Sequence, residues 1–193
     1  MNAPPAPLRP VAIALGSNLG DSLATLEGAL ASLHGMPGVR LLRRSRWYRS
    51  APVGPLQPDY LNGCALLEVR LSPAALLERL HAIEHRYGRV RLERWGPRSL
   101  DLDLILDGSL RLDSANLTIP HPRFRERAFV LLPLADIAPG WVDPLTGRTV
   151  ADLARTVAGR DTVRPMGRGE APQAIPGAGL KPRLSQPPAR PDR

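Results

Sequence analysis

Short apolar runs and amphipathic stretches alternate along the chain, separated by Gly and Pro. Val11 to Leu15 is a continuous apolar run ending in Gly16-Ser17-Asn18-Leu19-Gly20-Asp21, which predicts a strand, a turn and a helix capped by Asp21 or Ser22. Leu23, Leu26, Leu30 and Leu33 mark the buried face of that helix, and Gly35 with Pro37-Gly38 ends it. A second strand is expected from about Val39 to Tyr48. The stretch from Arg49 to Asp59 holds three prolines and no period; loops of that length inside a compact domain are functional or disordered. Order returns abruptly with the apolar strand Tyr60 to Val69, which favours a substrate lid over a linker. Ser72-Pro73 opens a second helix, with Leu76, Leu80, Ile83 and Tyr87 as its stripe and Gly88 as its close.

From Ser99 the pattern becomes strict alternation, with Leu100, Leu102, Leu104 and Leu106 on one face of a strand and Asp101 and Asp103 on the other. Asp107-Gly108 then predicts a tight turn and a small hairpin through Leu110 to Leu112. Leu117 to Pro122 reads as extended, Phe124 to Leu132 as a helix, Trp141 to Gly147 as a turn-rich piece and Val150 to Val157 as a short helix. The order is strand, helix, strand, strand, helix, strand. It predicts an α+β fold with a ferredoxin-like βαββαβ core, helices on one sheet face, and additional peripheral strands and helices.

The 193 residues suit one domain with a short appendage. We expect a flexible extension over 1–10, a single catalytic domain over 11–165, and a disordered tail rich in Pro, Gly and Arg over 166–193. The single cysteine, Cys64, excludes an internal disulfide and a Cys-cluster metal site, and fits a reducing cytoplasm. The first ten residues lack the apolar core of a signal peptide, and no run reaches the length of a membrane span. The formal charge is +8, of which the last 28 residues carry five basic and two acidic side chains. The remaining excess serves a polyanionic small molecule as well as it serves a polymer.

The chemistry gathers around Glu93-Arg94-Trp95-Gly96-Pro97-Arg98-Ser99-Leu100-Asp101-Leu102-Asp103. Neighbouring carboxylates on one strand face, with roots roughly 7 Å apart, repel each other unless divalent cations sit between them. Arg89, Arg91, Arg94 and Arg98 supply guanidiniums for phosphate oxygens. Carboxylate-held Mg²⁺ beside arginines is what phosphoryl or nucleotidyl transfer requires. A solvated polar strand face would show the same two aspartates, and the density of arginine is what tells against it. Glu84, near the carboxyl end of its helix, opposes the helix dipole; it therefore pairs with an arginine or serves the site.

Four separated motifs stand in order: Gly16-Ser17-Asn18-Leu19-Gly20; Gln57-Pro58-Asp59-Tyr60-Leu61-Asn62; Arg94-Trp95-Gly96-Pro97-Arg98-Ser99-Leu100-Asp101-Leu102-Asp103; and Pro120-His121-Pro122-Arg123 with Glu126-Arg127-Ala128-Phe129. Together they resemble the 6-hydroxymethyl-7,8-dihydropterin pyrophosphokinase family over roughly Val11 to Arg160. The resemblance implies ATP as co-substrate, a reduced pterin as acceptor, AMP as product and a place in folate biosynthesis. It also implies two Mg²⁺ ions held by Asp101 and Asp103. Arg89 and Arg98 would join these aspartates in catalysis, and Glu84, Arg89, Arg91, Arg98, His121 and Arg127 would face the nucleotide. Val53, Tyr60, Asn62 and Phe129 would hold the pterin, and Ser50, Pro52, Gly54 and Trp95 would belong to the lid. The expected partners are these small molecules, with no nucleic acid, no membrane and a monomeric state. Asn116 stands where some relatives place an arginine.

Two other function classes remain open on the residues alone. A basic ferredoxin-like domain can bind RNA across its sheet, but this chain lacks the aromatic-rich strands such modules use and puts acids where phosphate would lie. A Mg²⁺-dependent phosphotransferase for another small alcohol would share the acidic strand, and its product would be ADP rather than AMP.

Overall fold

A computed structural model of the chain describes residues 7–52, 57–89 and 96–167. Five strands form an antiparallel path, β5-β1-β4-β3-β8, and β2 adds to β4 beside β3. The central pair is β1 (Arg9–Ser17) and β4 (Tyr60–Val69), in register from Arg9↔Val69 to Ser17↔Leu61. Strand β1 begins two residues before the apolar run, so Arg9 and Pro10 belong to the sheet. On the far side of β1 lies β5 (Asp101–Asp107).

The single strand expected over Val39 to Tyr48 is two, β2 (Val39–Arg44) and β3 (Tyr48–Ser50), both on β4. Between them the chain leaves the ladder because Ser45 Oγ accepts the Cys64 N–H at 2.9 Å and the Trp47 indole packs closely against Gly63. A Cβ at position 63 would collide with that indole, so glycine there makes the excursion possible.

Helix α1 (Ser22–His34) is capped by Asp21, whose carboxylate accepts the Ala24 N–H, and α2 (Pro73–Arg86) by Ser72, whose hydroxyl accepts the Ala75 N–H. Their stripes, Leu26, Leu30, Leu33, Leu76, Leu80 and Ile83, pack with Val11, Ile13, Leu15 and Leu67 on one sheet face. Each such side chain contributes about 1.5–3 kcal/mol through burial. The two core helices therefore share one face, as expected, and the peripheral helices cover the other. There α3 (Ala128–Ile137) and α4 (Val150–Thr156) bring Leu131, Leu134 and Leu153 onto Ala12, Cys64 and Leu66. The ferredoxin-like core, with its own helices on one face, is thus closed on the other by an added helical layer.

Four local differences separate the structure from the expected pattern. The alternation in β5 breaks at Ile105, where the pairing with β1 shifts between Ala12 and Ile13. Leu100, Leu102 and Leu104 stay on the α1/α2 side, but this bulge sends Leu106 to the α3 side with Ile105. The small hairpin forms between β6 (Leu112–Asp113) and β7 (Thr118–Ile119) rather than with β5. The helix expected over Phe124 to Leu132 is a 3₁₀ turn (Phe124–Glu126), an extended Arg127, and then α3, which continues through Pro133 to Ile137. Burial of Leu131, Leu134 and Ile137 carries α3 past the proline. Finally, β8 (Val163–Pro165) pairs with β3, placing Val163 opposite Ser50. Among the described residues no helix is long and apolar enough to cross a membrane.

Candidate active site

Because side chains alternate along a strand, one sheet face collects Ala14 and Gly16 of β1, Ser50 of β3, Tyr60 and Asn62 of β4, and Asp101 and Asp103 of β5. With the 3₁₀ turn and the start of α3 they enclose a cleft of about 280 Å³, whose second wall is Arg123, Glu126, Arg127, Phe129 and Val130. The peptide bond Ile119-Pro120 is cis, and the His121 N–H donates to Ile105 O at 2.9 Å, bringing the wall back to β5.

One end of the cleft is charged. Asp101 Oδ1 lies 2.6 Å from Arg89 Nη1, and its Oδ2 contacts Arg98 Nη1. Asp103 Oδ2 lies 3.3 Å from Arg127 Nη1 and 3.9 Å from His121 Nε2. Burial and the neighbouring Asp101 charge raise the Asp103 carboxyl above the usual range, while burial lowers the His121 imidazole. Glu84 lies behind β5, 2% exposed; its Oε1 accepts the Leu102 N–H at 2.7 Å and also contacts Arg89 Nη1. Burial pushes the Glu84 carboxyl up to about 7, outweighing the Leu102 N–H and Arg89. Glu84 thus anchors Arg89 from behind and does not line the cleft.

The other end is less polar. Tyr60 lends its ring to the cleft and its hydroxyl donates to Gly96 O at 3.3 Å. Asn62, 4% exposed, donates from Nδ2 to Ser50 Oγ at 2.9 Å. The half-buried Phe129 ring stands on the opposite wall, 5.7 Å from the Arg127 guanidinium carbon. An aromatic wall facing a side-chain amide suits a planar heterocycle with polar edges.

The donor set can be tested against Mg²⁺. Asp101 and Asp103 are side by side on β5, and although Arg89 covers Asp101 Oδ1 at 2.6 Å, the chemistry of the pair, two hard carboxylate donors, fits a hard cation. Among the described residues no group of three or more His, Cys, Asp or Glu is arranged to hold a metal ion. Mg²⁺ commonly takes one or two carboxylates and fills its shell with water and substrate phosphate, so the pair fits that mode of binding.

The structure therefore brings together Ser50, Tyr60, Asn62, Arg98, Asp101, Asp103, Arg127 and Phe129 in the cleft, with Arg89 and His121 in contact with its aspartates. Pro52 is half-buried just outside the lining, next to Ala51, which is in it. Val53, Gly54, Arg91 and Trp95 lie outside the described residues. Sequence reasoning missed Asn18, which it left as part of a structural turn. Asn18 is 3% exposed; its Nδ2 donates to Gln57 Oε1 and Pro58 O, and its Oδ1 accepts the Arg98 N–H at 2.7 Å. It ties Gln57 and Pro58 to Arg98, which lines the cleft. A polar residue inside Gly-x-Asn-x-Gly was the available signal. Arg123 and Glu126, paired at 2.6 Å on the wall, were also missed as lining residues.

Comparison with known proteins gives this geometry a context. The family model described as 7,8-dihydro-6-hydroxymethylpterin-pyrophosphokinase (HPPK) matches residues 12–139. The chain is 54% identical over 145 residues to the 2-amino-4-hydroxy-6-hydroxymethyldihydropteridine pyrophosphokinase of Synechocystis, covering 75% of this chain and 74% of that one. The Haemophilus influenzae protein of the same name is 41% identical over 153 residues, covering 79% and 95%. Among solved structures, wild-type Plasmodium falciparum HPPK-DHPS superposes with a TM-score of 0.61 at 12% identity. That match covers 77% of this chain but only 44% of the longer one, and shows a shared fold. With the matched region running from β1 through α3 and holding every described wall of the cleft, the chain belongs to the 7,8-dihydro-6-hydroxymethylpterin-pyrophosphokinase family.

Proposed function

We propose that the protein transfers the β,γ-pyrophosphoryl group of ATP to the hydroxymethyl group of 6-hydroxymethyl-7,8-dihydropterin, releasing AMP. The observation that carries this reading is one cleft with an aspartate–arginine end and an aromatic–amide end. The first suits a triphosphate and the second a pterin.

Asp101 and Asp103 would hold Mg²⁺, which when bound neutralises phosphate charge and orients the triphosphate. Arg89 and Arg98, already on Asp101, stand ready to meet developing charge on the transferred oxygens. Glu84 keeps Arg89 directed toward β5. Arg127 and His121 face the nucleotide from the opposite wall. Tyr60 and Phe129 clasp the pterin rings, and Asn62 addresses their polar edge. So held, the pterin hydroxyl oxygen attacks the β-phosphorus, the bond from that phosphorus to the α,β-bridging oxygen breaks, and AMP leaves with the oxygen. In a loose transition state the hydroxyl proton departs late, so positioned charge matters more than a strong base. Ser50, expected in the lid, is instead a buried residue of β3 that lines the cleft and receives the Asn62 amide. Pro52, with Gly54 and Trp95 beyond the described residues, is assigned to closing the site, Val53 to the pterin and Arg91 to the nucleotide.

Incubation with ATP, Mg²⁺ and the pterin should yield AMP and pterin diphosphate in equal amounts. Stoichiometric ADP without AMP would show a simple kinase instead.

A further inference from the structure

A carboxylate–guanidinium pair outside the cleft stands behind one of its walls. Asp143 is fully buried in the turn between α3 and α4, and Arg125 grips it with two parallel hydrogen bonds, Nε to Oδ2 at 2.6 Å and Nη2 to Oδ1 at 2.7 Å. The same carboxylate accepts the Thr146 hydroxyl and the Leu145 N–H, while the Asp143 N–H donates to Arg148 O at 2.9 Å. Asp143 is therefore fixed by its own turn before Arg125 reaches it. Burial alone would raise this carboxyl, but the hydrogen bonds from Arg125 and Thr146 outweigh it and hold the group down at about 2. The pair stays charged at any ordinary assay pH.

Arg125 sits in the middle of the 3₁₀ turn, its guanidinium carbon 4.7 Å from the centroid of the buried Phe124 ring. Two residues on is Arg127, which turns the other way to Asp103. Neither the 3₁₀ turn nor α3 has a side-chain cap at its start. The wall that carries His121, Arg127 and Phe129 is thus held from behind by buried Phe124 and by the grip on Asp143.

We propose that Asp143 is a positioning residue for the reaction: through Arg125 it fixes the 121–129 wall and so sets where Arg127 meets the nucleotide and Phe129 meets the pterin. For the identity of those ligands this rests on the pyrophosphokinase reading above; the coupling of Asp143 to the wall does not.

The test compares the parent with Asp143→Asn, Arg125→Lys and a matched control, Asp107→Asn. Asp107 is equally buried and pairs with Arg9 at 2.6 Å, but lies six residues along β5 from Asp101, about 20 Å away. Three quantities are read well below each melting temperature: kcat and KM for both substrates, calorimetric affinity for a non-hydrolysable ATP analogue with Mg²⁺, and hydrogen exchange of the 121–130 amides without ligand. Asp143→Asn should raise both KM values, lower kcat/KM roughly tenfold to hundredfold, weaken the analogue and speed exchange across the wall. Arg125→Lys, which keeps the charge but loses the fork, should fall between it and the parent. Asp107→Asn should keep parental kinetics and wall exchange whatever its melting temperature. Parental kinetics and exchange in Asp143→Asn, or equal losses in Asp107→Asn, would overturn the assignment and leave the pair a support of stability alone. Should Asp143→Asn not fold, Arg125→Lys decides by the same readouts. If the parent makes no AMP, the pyrophosphokinase reading fails, while analogue affinity and exchange still decide the role of Asp143.

Discussion

Arg89 and Arg98 hold Asp101, whereas Asp103 faces Arg127 and His121 at 3.3 and 3.9 Å, so neutralising the two carboxylates should have different effects on the resting protein. Asp101→Asn leaves two guanidiniums without their carboxylate and should destabilise the ligand-free fold by about 2 kcal/mol, the scale of a charged hydrogen bond. Asp103→Asn removes a group already raised by burial and by Asp101, and should melt at or above the parental temperature. Turnover should collapse in both, and in the double variant the losses should be far from additive, because either loss alone misplaces the shared cations. Melting curves and kcat for the parent, both single variants and the double variant check this. Near-parental turnover in either single variant would reduce the aspartates to a solvated strand face.

At the scale of elements, β1, β4, β5 and the first two helices were legible because their burial is local and periodic, as in Leu26, Leu30 and Leu33 or Leu76, Leu80 and Ile83. The site aspartates were legible for the same reason: a period of two put them on one face. What alternation could not show is the bulge at Ile105, since a single extra residue reverses the face of Leu106 without changing composition. Asn18 escaped because its partners lie 39, 40 and 80 residues away. The break at Arg127 escaped because Phe124 to Leu132 keeps an apolar helical pattern across it. Strand β8 has three residues and no pattern of its own, yet it pairs with β3, whose Ser50 lines the cleft. Met166 extends the attachment, its N–H donating to Trp47 O at 2.8 Å. Truncation after Gly167 should therefore leave kcat within about tenfold of the parent, since the sequence beyond has no apolar period with which to bury a face. Truncation after Thr162 removes β8 and should both lower the melting temperature and raise KM for the pterin. Equal kinetics for the two truncated proteins would show that β3 holds the cleft edge unaided.

For the whole molecule, the buried Glu84 links stability to pH. Its folded value, pushed up by burial to about 7, lies above the roughly 4.3 of an unfolded glutamate. Between these values the native state binds more protons than the unfolded state, so this group's contribution is fully present below about 4.3 and is lost as pH rises through 7. Each unit of difference is about 1.4 kcal/mol, which makes the whole effect a few kcal/mol. Asp103, also raised, acts in the same direction. His121 acts oppositely, because an imidazole lowered by burial favours the folded state above its unfolded value of about 6.5 and penalises it as pH falls. Asp143, held at about 2 against roughly 3.9 for an unfolded aspartate, contributes stability that is fully present above about 4 and is lost as pH falls from there through 2, below the range over which Glu84 acts. A melting profile of the parent alone would therefore mix opposing trends, and the informative quantity is its difference from Glu84→Gln. Glutamine can still accept the Leu102 N–H but cannot titrate, and His121 and Asp103 remain in both proteins. In ligand-free protein the stability of the parent relative to Glu84→Gln should fall steadily from pH 5 to pH 8, by a few kcal/mol in denaturant titrations at fixed temperature. A difference that stays flat over that range would mean that Arg89 keeps Glu84 ionised throughout, and that the two form a permanent ion pair behind Asp101.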